Sequence, residues 1–395
     1  MLTIRTNLQY RCSELSLQVS ALTVSFIHLS QSDLFARCRV SVRRLLPVHA
    51  STCTGSGTVF LSLSHRLFSM NEAEAIGKMI APGTRRKNIW RNGVLQVWIT
   101  RACDKACYHC TQGSNLGGTP GMITVEQFAE AVDSLECGKP GGYFGVVGMF
   151  GGNPAVHPKF EELCSIMRAK VPFAQRGLWC NNPLGKGKAM SITFNPAVSN
   201  LNVHQDQQAY DEFARDWPAS RKVLKGLSTD SRHGPPYVAM SDIVKDESER
   251  WKLIADCDIN KYWSAMIGVV NGNLRAFFCE IAAAQAMLHQ NNKNWMGTGL
   301  PMPDTGLPVT VGWWRKPMSE FAEQVRVHCH ACGIPLKGFG ALANSGPAEQ
   351  YSEVHAAIMK TKTPGRNTMM VTELVQLGEK YLHKATDYIE NGSLQ

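Results

Sequence analysis

Apolar and polar positions along the chain alternate between two kinds of run: short apolar stretches ending in polar residues, and stretches repeating near every third or fourth residue. Residues 89–100 predict a hairpin. Asn92-Gly93 is its turn, and the apolar run from Val94 to Thr100 is its outgoing strand. Thr124-Val-Glu-Gln127 carries a capping-box pattern and opens a helix whose apolar face is Phe128, Ala131, Val132 and Leu135. A buried strand is predicted over residues 143–150 and a helix over 159–168, with Phe160, Leu163, Cys164 and Met167 on one side. Residues 177–182, 201–206 and 236–242 each read as a short strand closing on polar residues. Strand, polar end, helix, strand is the signature of a parallel α/β sheet, in which ligand-facing residues collect at the carboxyl ends of the strands. Asn181, Asn182, His204 and Ser241 stand at such ends; the plainer reading of each is a helix cap or a hydrogen-bonded loop residue.

The pattern changes after about residue 250. Two apolar strands flank Asn271-Gly272, a hairpin that would bring Cys257 and Cys279 to one end. His328-Cys-His-Ala-Cys332 then adds a Cys-x2-Cys knuckle. Residues 371–391 read as a closing amphipathic helix built on Leu374, Leu377 and Tyr381.

Composition narrows the class. The chain has 395 residues, 44% of them hydrophobic, enough for one large domain with an appendage. Its 13 cysteines follow no regular pairing, which argues against a secreted disulfide scaffold and for metal or cluster binding in a reducing compartment. No apolar run reaches the roughly 18 residues of a membrane span. The glycines of residues 138–142 lack the Gly-x4-Gly-Lys-Ser/Thr pattern and read as a turn, not a phosphate loop.

The net charge of +9 is uneven. Residues 1–69 hold seven arginines, no lysine and two acids, Glu14 and Asp33. That stretch reads either as an organelle-targeting segment or, by preference, as translated upstream sequence with Met70 as the true start. Residues 70–395 retain about +4, mildly suited to a polyanionic partner.

The most informative feature is the run Arg101-Ala-Cys-Asp-Lys-Ala-Cys-Tyr-His-Cys110. Cys103, Cys107 and Cys110 put three thiols in one loop with no fourth ligand nearby. Three thiolates can hold three irons of a [4Fe–4S] cluster and leave one iron open, whereas a structural metal site is normally closed by four ligands. The competing readings are zinc completed by a distant ligand, or unrelated buried thiols.

This Cys-x3-Cys-x2-Cys spacing resembles the radical S-adenosylmethionine (radical SAM) superfamily. So does Val146-Val-Gly-Met-Phe-Gly-Gly-Asn-Pro154, which stands where that family has a strand ending in Gly-Gly-Glu-Pro. Two positions depart from the family: Asn153 replaces the usual Glu, and His109 replaces the usual aromatic residue. The resemblance implies a partial (β/α)6 TIM-like barrel with a small cysteine-ligated α+β appendage. It implies a cluster on Cys103, Cys107 and Cys110, with Gly151, Gly152 and Asn153 at the methionine end of the cofactor. It implies reductive cleavage of S-adenosylmethionine to a 5′-deoxyadenosyl radical, with an electron donor such as flavodoxin or ferredoxin.

Cys257, Cys279, Cys329 and Cys332 resemble the auxiliary-cluster appendage called SPASM or twitch, here the shorter twitch-like form. Zinc remains the alternative there, with His328 and His330 as spare donors. Residues 313–335 are also similar to radical SAM proteins of phages and bacteria linked to hypermodified DNA bases. The expected activity is therefore radical rearrangement (isomerisation) of a modified thymine in DNA, in the cytoplasm, or that of the host if phage-encoded. Trp295, Trp313 and Trp314, followed by Arg315-Lys316, are candidate base-stacking and phosphate contacts. The alternatives are a peptide-modifying radical SAM enzyme and a non-catalytic zinc or Fe–S protein. The expected organisation is a leader at 1–69, a barrel core at 70–250, an auxiliary domain at 251–340 and a helical tail at 341–395.

Overall fold

Residues 94–100 are mostly apolar, and they form an interior strand of the main sheet. The structure is a computed structural model that describes residues 17–19, 46–48, 70–80, 93–116, 121–223, 234–257, 265–336, 348–359 and 367–370. The chain divides into two units, Met1–Leu67 and Phe68–Gln395. In the first, β1 (Leu17–Val19) and β2 (Leu46–Val48) pair antiparallel.

In the second unit α1 (Met70–Ile80) precedes β3 (Val94–Thr100). There follow α2 (Val125–Asp133), β4 (Val146–Gly151), α3 (Phe160–Lys170), β5 (Arg176–Cys180), α4 (Gly187–Thr193), β6 (Asn200–Asn202), α5 (Gln207–Asp216) and β7 (Lys222–Val223). Then come α6 (Met240–Ile243), α7 (Glu247–Ala255), β8 (Ala265–Val270), β9 (Asn273–Phe277), α8 (Glu280–His289) and β10 (Leu307–Pro308). The strands make one eight-stranded sheet in the order β10-β9-β8-β3-β4-β5-β6-β7. From β8 to β7 all neighbours are parallel; β9 and β10 add antiparallel partners at one edge.

The chain is thus the expected mixed α/β fold with a mostly parallel sheet. Strands β3 to β7 are laid down consecutively, and β8 then returns to the other side of β3. That makes the β3–β8 boundary a topological switch point, the place where parallel sheets open a crevice at their carboxyl ends. Six of the seven β3 residues are buried, as befits a strand covered on both faces.

Local chemistry explains the boundaries. Thr124 and Gln127 form the reciprocal capping box that starts α2. Asn271 (φ 49°) and Gly272 (φ 78°) form the two-residue turn between β8 and β9, both in the left-handed region that a type I′ hairpin requires. One expected strand is absent. Residues 236–242 form a turn and then α6, and their backbone groups bond outside the sheet: Ala239 N donates to Ser352 Oγ (2.8 Å) and Ser241 N to His330 O (2.9 Å). Two consecutive prolines, Pro235 and Pro236, remove the N–H groups with which such a strand would begin pairing. The hairpin turn at Asn92, the closing helix over 371–391 and most of the leader lie outside the described residues. Among the described residues, no helix is long and apolar enough to cross a membrane.

Candidate functional site

The cysteine loop leaves β3 at its carboxyl end and returns beside it. Ile123 N donates to Ile99 O (3.0 Å) and Arg101 N to Gly121 O (3.1 Å), so the excursion is clamped at its base. Cys103, Cys107 and Cys110 are free thiols and partly exposed. Burial, above all, pushes the Cys103 thiol up to about 11 and raises that of Cys110. The turn between Cys107 and Cys110 passes through His109 in the left-handed region (φ 52°), an uncommon conformation for a residue with a Cβ. A distant acid holds it there: His109 N donates to both oxygens of the fully buried Glu349 (3.0 and 3.1 Å), and Asn115 Nδ2 donates to Oε2 (2.9 Å).

The next strand ends pack directly on this loop. Gly152 N donates to Thr100 O (2.8 Å) and Asn153 N to Ala102 O (2.9 Å), carrying the β3–β4 ladder into the loop. A Cβ at Gly151 would lie 2.4 Å from Thr100 O, and one at Gly152 2.5 Å from Ala102 O. The two glycines therefore admit the close approach of the cysteine loop's own backbone. From β5, Asn181 Nδ2 lies 3.3 Å from Cys103 Sγ, and Asn182 Nδ2 donates to Asp104 Oδ2 at 3.0 Å. Beyond β6, His204 Nε2 lies 4.0 Å from Cys107 Sγ. Asn181, Asn182 and His204 thus converge on the loop, as strand-end residues should. Ser241 does not share these contacts; it sits in α6 against His330.

Asp104, Glu349 and Glu280 were not singled out in the sequence. Glu280 is buried at the first position of α8, and burial pushes its carboxyl up to about 8. Thr111 Oγ1 (3.3 Å) and Gln112 Nε2 (3.5 Å) reach it from the cysteine loop, while the preceding residue is Cys279.

Cys257, Cys279, Cys329 and Cys332 line one cavity of about 20 Å³, otherwise walled mainly by apolar side chains such as Ile254, Phe278 and Ile281. Hairpin and knuckle thus meet. Burial first, and then the neighbouring thiols, raise Cys279, Cys329 and Cys332 far above the ordinary thiol range. His328 is not a spare donor: Nε2 pairs with Thr305 Oγ1 (2.9 Å) and Nδ1 with Gln285 Oε1 (3.2 Å). His330 Nδ1 accepts from Arg250 Nε at 3.1 Å.

Among the described residues, no three His, Cys, Asp or Glu side chains are arranged to hold a single metal ion. One zinc with bonds of about 2.3 Å would draw its sulfurs to within roughly 4 Å of one another. A cluster that gives each iron its own thiolate sets them further apart. Donor chemistry at both places, thiols alone, fits a thiolate-ligated group.

The tryptophans do not fit base stacking. Trp295, Trp313 and Trp314 are buried, Trp313 Nε1 donates to Ser134 Oγ (3.2 Å), and Trp314 packs edge-on against Tyr143. Arg315 lies over Trp314 and donates to Gly141 O. Trp was spent on the core, as large aromatics usually are.

No family model and no curated protein matches the chain. Among solved structures, the chain is similar to one described as the crystal structure of BtrN in complex with AdoMet and 2-DOIA. The identity is 12% and the TM-score 0.34, over 60% of this chain and 88% of that one. The functional reading rests on the geometry of the site.

Proposed function

We propose that the chain is a radical SAM enzyme whose cluster is held by Cys103, Cys107 and Cys110. One observation carries this reading. Three free, partly exposed thiols share a loop at the carboxyl end of β3, and polar residues from the ends of β4, β5 and beyond β6 converge on it. A reduced cluster on these three thiolates, with S-adenosylmethionine held beside it, would supply the chemistry for removing a hydrogen atom from an unactivated substrate carbon.

The chain's own residues do the rest. Gly151 and Gly152 let β4 press against the loop and fix its entry. Glu349 fixes the Cys107–Cys110 turn. Asn181 and His204 flank the thiols as cofactor contacts. Cys257, Cys279, Cys329 and Cys332 take a second thiolate-ligated centre in a water-poor cavity.

The proposed reaction is isomerisation of a modified thymine in DNA. The mild positive charge of residues 70–395 supports it; with the tryptophans buried, the basic residues alone remain as contacts for a duplex. Salt-sensitive binding of duplex DNA is the expected result, and tight binding of a short leader peptide in its place would move the substrate to peptides. The test of the class is anaerobic reconstitution with iron and sulfide, reduction, and a search for 5′-deoxyadenosine. A cluster-loaded, reduced protein that yields none, with DNA or peptide present, would make the chain a non-catalytic metal-binding protein.

A further inference from the structure

The Asn153 side chain is engaged at both its ends within the protein. Its Nδ2 donates to Asp104 Oδ1 (2.7 Å) and to Asn182 O (3.0 Å); its Oδ1 accepts from Ala155 N (3.1 Å) and from the Cys180 thiol (3.1 Å). A carboxamide has two donors and two acceptor positions; both donors and one acceptor position are filled, the fourth faces a thiol whose single proton Asn182 O also reaches at 3.2 Å, and the side chain is fully buried. Its donor end is turned onto a carboxylate of the cysteine loop. Asn182 Nδ2 holds the other oxygen of that carboxylate at 3.0 Å. Two amides, one from the end of β4 and one from the end of β5, therefore aim Asp104 beside Cys103.

Asp104 keeps acceptor capacity. An ionised carboxylate has about four lone-pair sites, and the two amides use two. The nearby cation is shared: Lys105 Nζ bonds Asp206 and makes a longer ion pair with Asp104 Oδ2 at 3.6 Å. The Asp104 side chain is 19% exposed, so solvent and ligands reach it. On the same side of the loop, Asn181 is 7% exposed, and its Oδ1 has no hydrogen-bond partner.

We infer that Asp104, rather than Asn153, receives the α-amino group of S-adenosylmethionine, and that Asn153 and Asn182 act by positioning it. The inference rests on the radical SAM reading above. Its physical ground is complementarity. An ionised carboxylate is a stronger acceptor for an amino N–H than a neutral carboxamide, because charge-assisted hydrogen bonds are roughly twice as strong as neutral ones. The position where the sequence offered only a neutral amide is thus supplied with charge from the adjoining loop, one residue after the first cysteine.

The test is equilibrium binding of S-adenosylmethionine to the anaerobically reconstituted full chain, beside an analogue in which a keto oxygen replaces the amino group. Asp104→Asn should weaken S-adenosylmethionine binding by roughly tenfold to a hundredfold. It should leave binding of the keto analogue and the iron and sulfide content near those of the unaltered chain. Asp104→Glu should recover most of the loss. Asn182→Ala, which removes one of the two positioning donors, should weaken binding a few-fold. Equal losses for both ligands, or loss of iron together with affinity, would make Asp104 a structural residue and overturn the inference. Unchanged affinity in Asp104→Asn would do the same while leaving the radical SAM reading intact. Iron-loaded unaltered chain that fails to bind S-adenosylmethionine would remove both.

Discussion

The two cysteine sets of this chain sit in opposite surroundings. Cys103, Cys107 and Cys110 lie on a clamped loop, partly exposed and ringed by amides, carboxylates and a histidine. Cys257, Cys279, Cys329 and Cys332 line a small cavity walled mainly by Ile, Phe and Ala, with three of the four buried. A ligand can approach the first set and can scarcely approach the second. Reactivity belongs at the open site; a closed set of thiolates contributes fold stability or electron storage. In the proposed function the number of thiols would follow the same division, three where a coordination position must stay available and four where none is needed.

The largest expected effect strikes the open site. Cys107→Ala should lower 5′-deoxyadenosine formation at least about a thousandfold and reduce bound iron by about half, with the thermal midpoint little changed. Cys279→Ala, or chelation of the second centre, should do the reverse in kind: a loss of several kcal/mol in denaturant unfolding, because metal affinity in a closed site is folding free energy. If both variants lost stability equally, the contrast between an open and a closed set would fail.

Acid offers a weaker probe of the closed side. His355 is fully buried; it pairs with His289 (3.0 Å) and reaches Ala331 O, inside the Cys-x2-Cys knuckle, at 2.6 Å. Burial, chiefly, holds its imidazole down to about 4, against about 6.5 in an unfolded chain. The folded state therefore takes up its proton later than the unfolded one. Its contribution is whole above about pH 6.5, shrinks as the pH falls, and is gone below about 4, a total on the order of 3 kcal/mol. Unfolding titrations between pH 7 and 4 should show this slope, and His355→Gln should reduce it by this share while His289, His328 and His330, also held low by burial, keep theirs.

Sequence spacing was enough to place the cysteines because Cys-x3-Cys-x2-Cys is a property of one loop. The Asn271-Gly272 turn and the Thr124–Gln127 cap were legible for the same reason. Asn181 and His204 were found by the rule that parallel strands present their carboxyl ends. What sequence hid was long-range pairing. Glu349 lies 240 residues from His109, and no local pattern marks it. Nor does periodicity reveal that β8 turns back to β3, since strand order is decided by packing after the strands exist. The tryptophans misled because basic neighbours look alike whether an indole faces solvent or, as here, the core. Asp104 was in plain view between two cysteines, but its meaning depends on amides from two other strands.

The smallest effect is the one that joins the comparison's two halves, for Glu349 reaches the open loop from the segment that also carries His355. Replacing it with Gln keeps the size, removes the charge, and turns one acceptor oxygen into a donor facing the His109 N–H and the Asn115 amide. One satisfied hydrogen bond becomes a donor–donor conflict, worth about 1–2 kcal/mol. That cost falls on a turn already held in left-handed backbone at His109. Amide exchange at residues 109–115 should therefore quicken in Glu349→Gln while exchange in β3 and β4 stays as it was. Glu349→Ala, which removes the carboxylate acceptor from both donors, should show the larger change. If exchange instead rose evenly across the sheet, Glu349 would be an ordinary core residue, and the loop's conformation would have to be set without it.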